Sequence, residues 1–259
     1  MNEQIIYKKE NGIEYIQFKR LLELGIKHAY TLKGENIDFS TFSNKLKPSY
    51  EKLLKSLNLD MSNLVMPKQT HTDYVKCLEK VEKSDNLYGI DGLITDKKEI
   101  ILSTKNADCI LFLLYDPVKR VIANVHSGWR GTFKKIIEKT VVKMKINYGC
   151  DPKDIICCIC PSIRRCHFEV DEDVKELCED IFGFTKQLEN FIQKGEIKEK
   201  KQKYYIDTVE INKFLLKDLG VKEENIIDSN ICSVCNSDKL SSRRVEGKDF
   251  TRATAVISL

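Results

Sequence analysis

The sequence predicts a mixed α/β (α+β) fold: a single domain over residues 1–259 with mostly antiparallel or mixed sheet and peripheral helices. Three observations point there. Strand-like and helix-like runs follow one another without the strict rhythm of a parallel βαβ sheet. Hydrophobic residues make up 42% of the chain, enough to bury a core without help from disulfides. No linker rich in Pro, Gly or Ser, no internal repeat and no low-complexity stretch divides the chain.

The elements follow in order. Residues 5–7 and 13–18 alternate apolar and polar like paired strands, and Asn11-Gly12 between them is a hairpin turn signal. Residues 49–57 have helical spacing. A short strand at 64–67 should deliver Gln69 and His71 at its end. Residues 92–95 and 100–104 read as strands. Residues 109–115 form a continuous apolar run, the pattern of a buried strand, and Asp116-Pro117 ends it. Residues 120–125 return as the second arm of a hairpin. Residues 132–146 follow as one amphipathic helix with Phe133, Ile136, Ile137, Val141, Val142 and Met144 on its apolar side. Residues 155–159 read as a buried strand and 171–182 as a helix with acidic residues in its first turn. A strand at 204–206, a helix at 208–219 stopped by Gly220, and strands near 226–227 and 254–258 complete the chain.

Composition excludes several classes. Lys+Arg 43 against Asp+Glu 39 leaves a formal charge of +4, and the signs are interleaved rather than striped, so no nucleic-acid surface is expected. The lysine-rich run at 193–203 reads as a solvated surface excursion. The first ten residues are polar and charged, without the apolar stretch of a signal peptide. The longest apolar run, 110–115, falls far short of the ~20 residues that span a bilayer. A cytoplasmic protein without membrane contact is the expectation, with monomer as the default state. Ten cysteines are then thiols or ligands rather than disulfides.

Three segments carry most of the chemistry: Gln69-Thr70-His71, Ala107-Asp108-Cys109, and Val125-His126-Ser127-Gly128-Trp129-Arg130-Gly131. Two of the chain's four histidines lie in them. His71, Cys109 and His126 make a soft three-ligand set, which suits Zn²⁺ with a fourth position open to water or substrate. Cys109 opens one strand of the predicted hairpin and His126 closes the other, so an antiparallel fold brings them to the same end. Gly128 and Gly131 at a helix start let backbone N–H groups approach an anion, and Arg130 offers a forked contact to phosphate or carboxylate. Two C-x-x-C pairs, Cys157 with Cys160 and Cys232 with Cys235, compete as a metal site. Their separation exceeds the ~15–20 residues of a ribbon-type site, and Cys157-Cys158 sits inside an apolar strand whose alternation sends thiols to both faces. Arg164-Arg165 and, near the end of the chain, Arg243-Arg244 and Arg252 are further candidates for an anion.

With these residues in view, the chain resembles the laccase-domain proteins, first called multicopper polyphenol oxidases and also known as the YfiH family. The resemblance runs from about His28 onward. It rests on Gln69-x-His71, Asp91-Gly92-Leu93-Ile94-Thr95, Ala107-Asp108-Cys109 and His126-Ser127-Gly128-Trp129-Arg130-Gly131, with weaker support from Pro161-Ser162-Ile163, Cys166-x-Phe168-Glu169-Val170, Tyr205-Ile206-Asp207 and Ser242-Arg243-Arg244. It implies sheets sandwiched between helices, a fold similar to that of toxin-type deamidases with a Cys–His pair. It implies Zn²⁺ on His71, Cys109 and His126. The implied activity is phosphorolysis of adenosine, inosine and methylthioadenosine, with deamination of adenosine. Small nucleosides and phosphate would be the binding partners. The chain departs from the family pattern at Leu32-Lys33-Gly34, Cys160, Arg164-Arg165, His167 and Thr251.

On this reading Asp108 moves a proton or orients a ligand, Gln69 contacts substrate, and Arg130 and then Arg244 hold phosphate. Two other chemistries compete. A copper-dependent phenol oxidase is the older label of the family, but four histidines cannot fill a multicopper cluster. A metal-independent cysteine hydrolase would use Cys109 as nucleophile and His126 as its base. A non-enzymatic metal-binding protein would hold zinc without turning over a nucleoside.

Overall fold

A computed structural model describes residues 3–183 and 186–259. In chain order the strands and helices begin with β1 (Ile5–Glu10), β2 (Ile13–Phe18), α1 (Lys19–Glu23), β3 (Lys27–Thr31), α2 (Leu46–Ser56), β4 (Leu64–Val65), β5 (Val75–Cys77), β6 (Gly92–Thr95) and β7 (Ile101–Asn106). The central hairpin is β8 (Ile110–Asp116) and β9 (Val121–Ser127), followed by α3 (Trp129–Phe133), α4 (Ile136–Tyr148) and β10 (Ile156–Ile159). Then come β11 (Glu169–Val170), α5 (Glu172–Phe182), α6 (Leu188–Phe191), β12 (Ile192–Lys198) and β13 (Lys201–Ile206). The last elements are α7 (Thr208–Asp218), β14 (Ile226–Asp228), α8 (Arg243–Glu246) and β15 (Ala253–Ser258).

Two six-stranded sheets organise them, in the orders β1-β2-β3-β15-β7-β4 and β14-β10-β8-β9-β6-β5, with a smaller sheet β11-β13-β12. Pairing is mostly antiparallel; β4 with β7, β5 with β6 and β10 with β14 are parallel. Three apolar cores fill the spaces between the layers. Ile16, Leu102 and Ala255 of the first sheet meet Leu111, Leu113 and Ile122 of the second. The other face of the second sheet packs Phe112, Leu114 and Val125 against Ile137, Val141 and Leu215 of α4 and α7. The other face of the first sheet packs Val256 and Ile101 against Tyr50 and Leu53 of α2. Both sheets are therefore buried on two faces, which explains the continuous apolar runs of β8 and β10. The sandwich between helices that the resemblance implied is the observed architecture.

The hairpin turn at Asn11-Gly12 forms as its sequence requires, both residues having positive φ. Two expectations need correction. Residues 132–146 are not one helix. The chain breaks between α3 and α4, where Lys135 takes a left-handed φ of 58°. A lysine there bears a conformational cost that no residue-type signal announces. Val142, assigned to the apolar side, is exposed, because the buried stripe of α4 runs through Ile137, Val141 and Met144. The lysine-rich stretch is a largely solvated excursion, as expected, and takes the form of the hairpin of β12 and β13, turned at Glu199-Lys200 with positive φ at both. Among the described residues no helix is long and apolar enough to cross a membrane.

Candidate metal centre

The register of the central hairpin places the site. Leu111 pairs with His126 and Ile110 with Ser127, so Cys109 lies beyond the strand pair opposite Gly128. On the other edge of β9, Gly92 pairs with Val125, and the His126 N–H donates to the Asp91 carbonyl at 2.8 Å. His71 arrives on the loop between β4 and β5. Its Nε2 lies 3.8 Å from Cys109 Sγ, and its ring stands edge-on to His126 with centroids 4.9 Å apart. One ligating atom from each of His71, Cys109 and His126 lies within 4.8 Å of the others. The three residues that the sequence reading named as a ligand set lie together.

Asp91 builds this arrangement. Its carboxylate is fully buried and accepts from the backbone N–H groups of Thr70 (3.1 Å), His71 (3.1 Å) and Thr72 (2.9 Å), and from Nδ1 of His126 (2.7 Å). Burial alone would raise its pKa, but the bonds from His126 and Thr72 turn the net shift downward. The carboxylate occupies Nδ1 of His126 and leaves Nε2 for a metal, the carboxylate–imidazole–metal relation found around zinc. Burial would likewise raise Cys109 and lower His126. Hydrogen bonding of His126 to Cys109 and Asp91 reverses both directions, favouring thiolate beside imidazolium. A soft thiolate, two imidazoles and a buried second-layer carboxylate fit a borderline-soft divalent ion.

Two residues at the site have left-handed backbone, His71 at φ 61° and Asp108 at φ 80°. Strain of this kind persists where surrounding bonds over-determine it. For His71 those bonds come from Asp91. For Asp108 they come from Ser233 Oγ, which donates to Oδ1 at 2.6 Å, and from the Arg244 N–H, which donates to Oδ2 at 2.8 Å. Gly128 is required for room rather than for φ: a Cβ there would stand 2.9 Å from His71 Cδ2 and 3.1 Å from Cys109 Sγ. Gly128 also lines the first cavity, where an approach of its backbone to an anion was expected.

Two cavities flank the cluster. One, of about 390 Å³, is lined by Trp129, Arg130, Ile163, Phe168 and Arg244. The other, of about 470 Å³, is lined by Tyr88, Lys68, Lys105, Phe250 and Arg252. His71, Cys109 and Arg243 border both. Arg130 lies over one face of the Trp129 ring at 4.1 Å, and both residues line the first cavity. Arg244 spends its guanidinium on the carbonyls of His167 (3.1 Å) and Glu169 (3.2 Å). Gln69, expected to touch substrate, lines the second cavity and also clamps the Lys105 backbone, donating to its carbonyl at 2.8 Å and accepting from its N–H at 2.9 Å. Three other residues singled out in the sequence make structural contacts. Lys33 ties Glu246 and the Ser237 carbonyl, Arg164 forms a forked pair with Asp228, and Thr251 bonds Ser241.

Sequence reasoning missed Asp91 and Lys105 as site residues. Asp91 stood in a quoted motif, immediately before a strand that pairs beside His126, and that adjacency was the available signal. Lys105 gave none: it is a buried lysine in an apolar strand, visible only once Arg252 is placed near it. The C-x-x-C expectation also changes. Cys157, Cys158 and Cys160 are core side chains, whereas Cys232 and Cys235 join Cys166 and His167 in a second cluster.

Comparison with known proteins agrees with this architecture. The family model described as "Multi-copper polyphenol oxidoreductase laccase" matches residues 38–259. A protein of Bacteroides thetaiotaomicron named purine nucleoside phosphorylase is 30% identical over 209 residues, covering 78% of this chain and 75% of its own length. A protein from an unknown prokaryotic organism named adenosine deaminase RL5 is 32% identical over 210 residues, covering 77% of this chain and 78% of its own. The crystal structure of hypothetical protein YfiH from Bacillus licheniformis superposes with a TM-score of 0.86 at 22% identity, covering 98% of each chain, and bears on the fold alone.

Proposed function

This chain belongs to the laccase-type multi-copper polyphenol oxidoreductase family, and from that premise we propose that it is a zinc-dependent purine nucleoside phosphorylase with adenosine deaminase activity. Adenosine, inosine and methylthioadenosine are the proposed substrates. The observation that carries the reading is the His71–Cys109–His126 cluster, braced by Asp91 and set at the junction of two cavities. A two-substrate reaction needs two seats beside one reactive centre.

His71, Cys109 and His126 hold the ion. When bound, zinc supplies Lewis-acid polarisation and activates water near neutral pH. Asp91 keeps a proton on His126 Nδ1 and fixes the ring. Asp108 acts as a positioning residue: both its oxygens are engaged, so it fixes the Cys109 turn between Ser233 and Arg244 rather than moving a proton. In the first cavity Trp129 and Phe168 offer aromatic faces to a purine, with Arg130 and Arg244 at its edge. In the second, Lys105, Arg243 and Arg252 gather positive charge that an anion relieves, and this is the proposed phosphate seat. From there phosphate reaches C1′ of a ribose lying across the shared border.

The copper oxidase reading loses support from the placement of the histidines. His28 is buried in the first sheet, with Nε2 accepting from the Phe18 N–H and Nδ1 donating to the Ile26 carbonyl, and His167 belongs to the other cluster. Two histidines remain for a cluster that needs many more. One observation favours a second chemistry: Cys109, His126 and Asp91 have the order of a nucleophile, base and orienting carboxylate. Chelation separates the readings, since a cysteine hydrolase keeps its activity without metal and loses it to iodoacetamide. For the main proposal, His126→Ala should abolish zinc retention at the His71–Cys109–His126 cluster together with nucleoside turnover; a variant with both unchanged overturns it.

A further inference from the structure

The second cluster has a geometry that the proposed activity does not use. Cys166 Sγ lies 3.6 Å from Cys232 Sγ and 3.8 Å from Cys235 Sγ. His167 Nδ1 lies 3.2 Å from Cys166 Sγ, 3.5 Å from Cys235 Sγ and 3.7 Å from Cys232 Sγ. All four atoms fall within 4.8 Å of one another. A zinc ion with Zn–S bonds of about 2.3 Å and a Zn–N bond of about 2.0 Å, at tetrahedral angles, needs S···S edges of about 3.8 Å and S···N edges of about 3.5 Å. Five of the six edges therefore already have the length of a metal tetrahedron.

We propose that Cys166, His167, Cys232 and Cys235 bind a second, structural zinc ion that clips two loops together beneath the substrate cavity.

Three further observations support it. Cys232 and Cys235 have the two-residue spacing of a zinc knuckle, and the Cys232 thiol accepts backbone hydrogen bonds from Arg164, Val234 and Cys235, the arrangement that stabilises a ligating thiolate. Three thiolates and Zn²⁺ leave one net negative charge. Arg164 adjoins the cluster through its backbone bond to Cys232, and the Arg244 guanidinium holds the carbonyl of the ligand His167. Finally, the clip joins two irregular segments that already meet at the Ser162–Cys232 bridge. Residues 229–242 contain no helix or strand, and the cluster joins them to the turn at 165–167.

The clip also reaches the first metal centre. Ser233, between two of the ligands, donates to Asp108 Oδ1, and Asp108 precedes Cys109. Arg244 links the His167 carbonyl through its guanidinium to Asp108 Oδ2 through its N–H. A metal held by all four protein groups has no position open to substrate, so its role is positional.

The test is metal analysis of the full chain purified without chelator. The wild type should carry two zinc ions per chain. His126→Ala and Cys235→Ser should each carry one, and the double variant none. Should Cys235→Ser fail to fold, cobalt titration of the metal-depleted wild type provides a second reading. It should show two binding steps, one with the intense charge-transfer band of three thiolates and one with the weaker band of a single thiolate. One zinc in the wild type that survives Cys235→Ser and disappears in His126→Ala overturns the clip and leaves the first site intact. A single cobalt step with one-thiolate intensity, or a Cys166 disulfide revealed by missing reactive thiols, overturns it as well. One zinc lost only in Cys235→Ser supports the clip while removing the metal from the proposed active site.

Discussion

Replacing Asp91 with Asn should damage folding and metal binding together, and the structure sets the size of each effect. The carboxylate Oδ1 accepts from the His71 N–H and His126 Nδ1, and Oδ2 accepts from the N–H groups of Thr70 and Thr72. An asparagine must put its NH₂ at one of these two positions. At Oδ2 it faces two backbone donors. Each buried donor left without an acceptor costs about 1–3 kcal/mol, so the metal-free protein should lose about 2–6 kcal/mol. At Oδ1 the NH₂ faces His126, whose proton must then move to Nε2, removing the lone pair meant for the ion. Loss of such a supporting carboxylate lowers metal affinity by roughly 10–100-fold. Urea denaturation of the metal-free variant measures the first effect, and competition with a zinc chelator measures the second. A variant with wild-type stability and wild-type zinc affinity would refute the placement of Asp91 at the root of the site.

Three other perturbations follow from single contacts. Gly128→Ala adds a methyl group 2.9 Å from His71 and 3.1 Å from Cys109, so zinc at this cluster should be lost at a stability cost of about 1–3 kcal/mol; full zinc retention by metal analysis contradicts it. Burial lowers the pKa of His28 to about 4, against 6.5 when exposed, with its two backbone bonds offsetting only part of the effect. The unfolded chain therefore takes up a proton first: stability is full above pH 6.5 and falls, by about 3 kcal/mol in total, as pH drops toward 4. Comparing urea midpoints of wild type and His28→Gln between pH 7 and 5 checks this, and equal slopes in the two proteins contradict it. Lys105 is lowered to about 8 by burial and by Arg252, with Asp38 acting against them. It carries charge below that pH and loses it above, so the KM for phosphate should climb as pH rises through about 8 in wild type and stay flatter in Lys105→Met; a climb of equal size in Lys105→Met contradicts the placement of phosphate beside Lys105.

Much of the site was legible because local signals happened to encode long-range geometry. The apolar run ending at Asp116-Pro117 forced a hairpin, and an antiparallel hairpin brings its two open ends together, so Cys109 and His126 followed from sequence alone. His71 was legible by type and by resemblance, not by position. The break at Lys135 left no trace because a left-handed lysine is chosen by tertiary packing. The β12 strand was hidden by its composition: both faces are largely solvated, so its lysines and glutamates lack the alternation of a half-buried strand. The second cluster was missed for a different reason. The two C-x-x-C pairs were judged a poor match for one shared site, and the residues that cluster with Cys232 and Cys235 lie more than sixty residues earlier and adjoin each other, a spacing no short motif describes. The side chains of Gln69 and Arg244 were read as substrate contacts because polar residues beside a site look functional in one dimension. In three dimensions both hold backbone in place as well as lining a cavity, Gln69 the second and Arg244 the first.

The most direct test of the account is to incubate zinc-loaded protein with adenosine, with and without inorganic phosphate, and to separate the products. The account predicts free adenine and ribose 1-phosphate only when phosphate is present, inosine formation in either condition, and neither reaction in His126→Ala. No release of base under any condition by a protein that holds zinc on His71, Cys109 and His126 would contradict it, and adenine released equally without phosphate would replace phosphorolysis by hydrolysis.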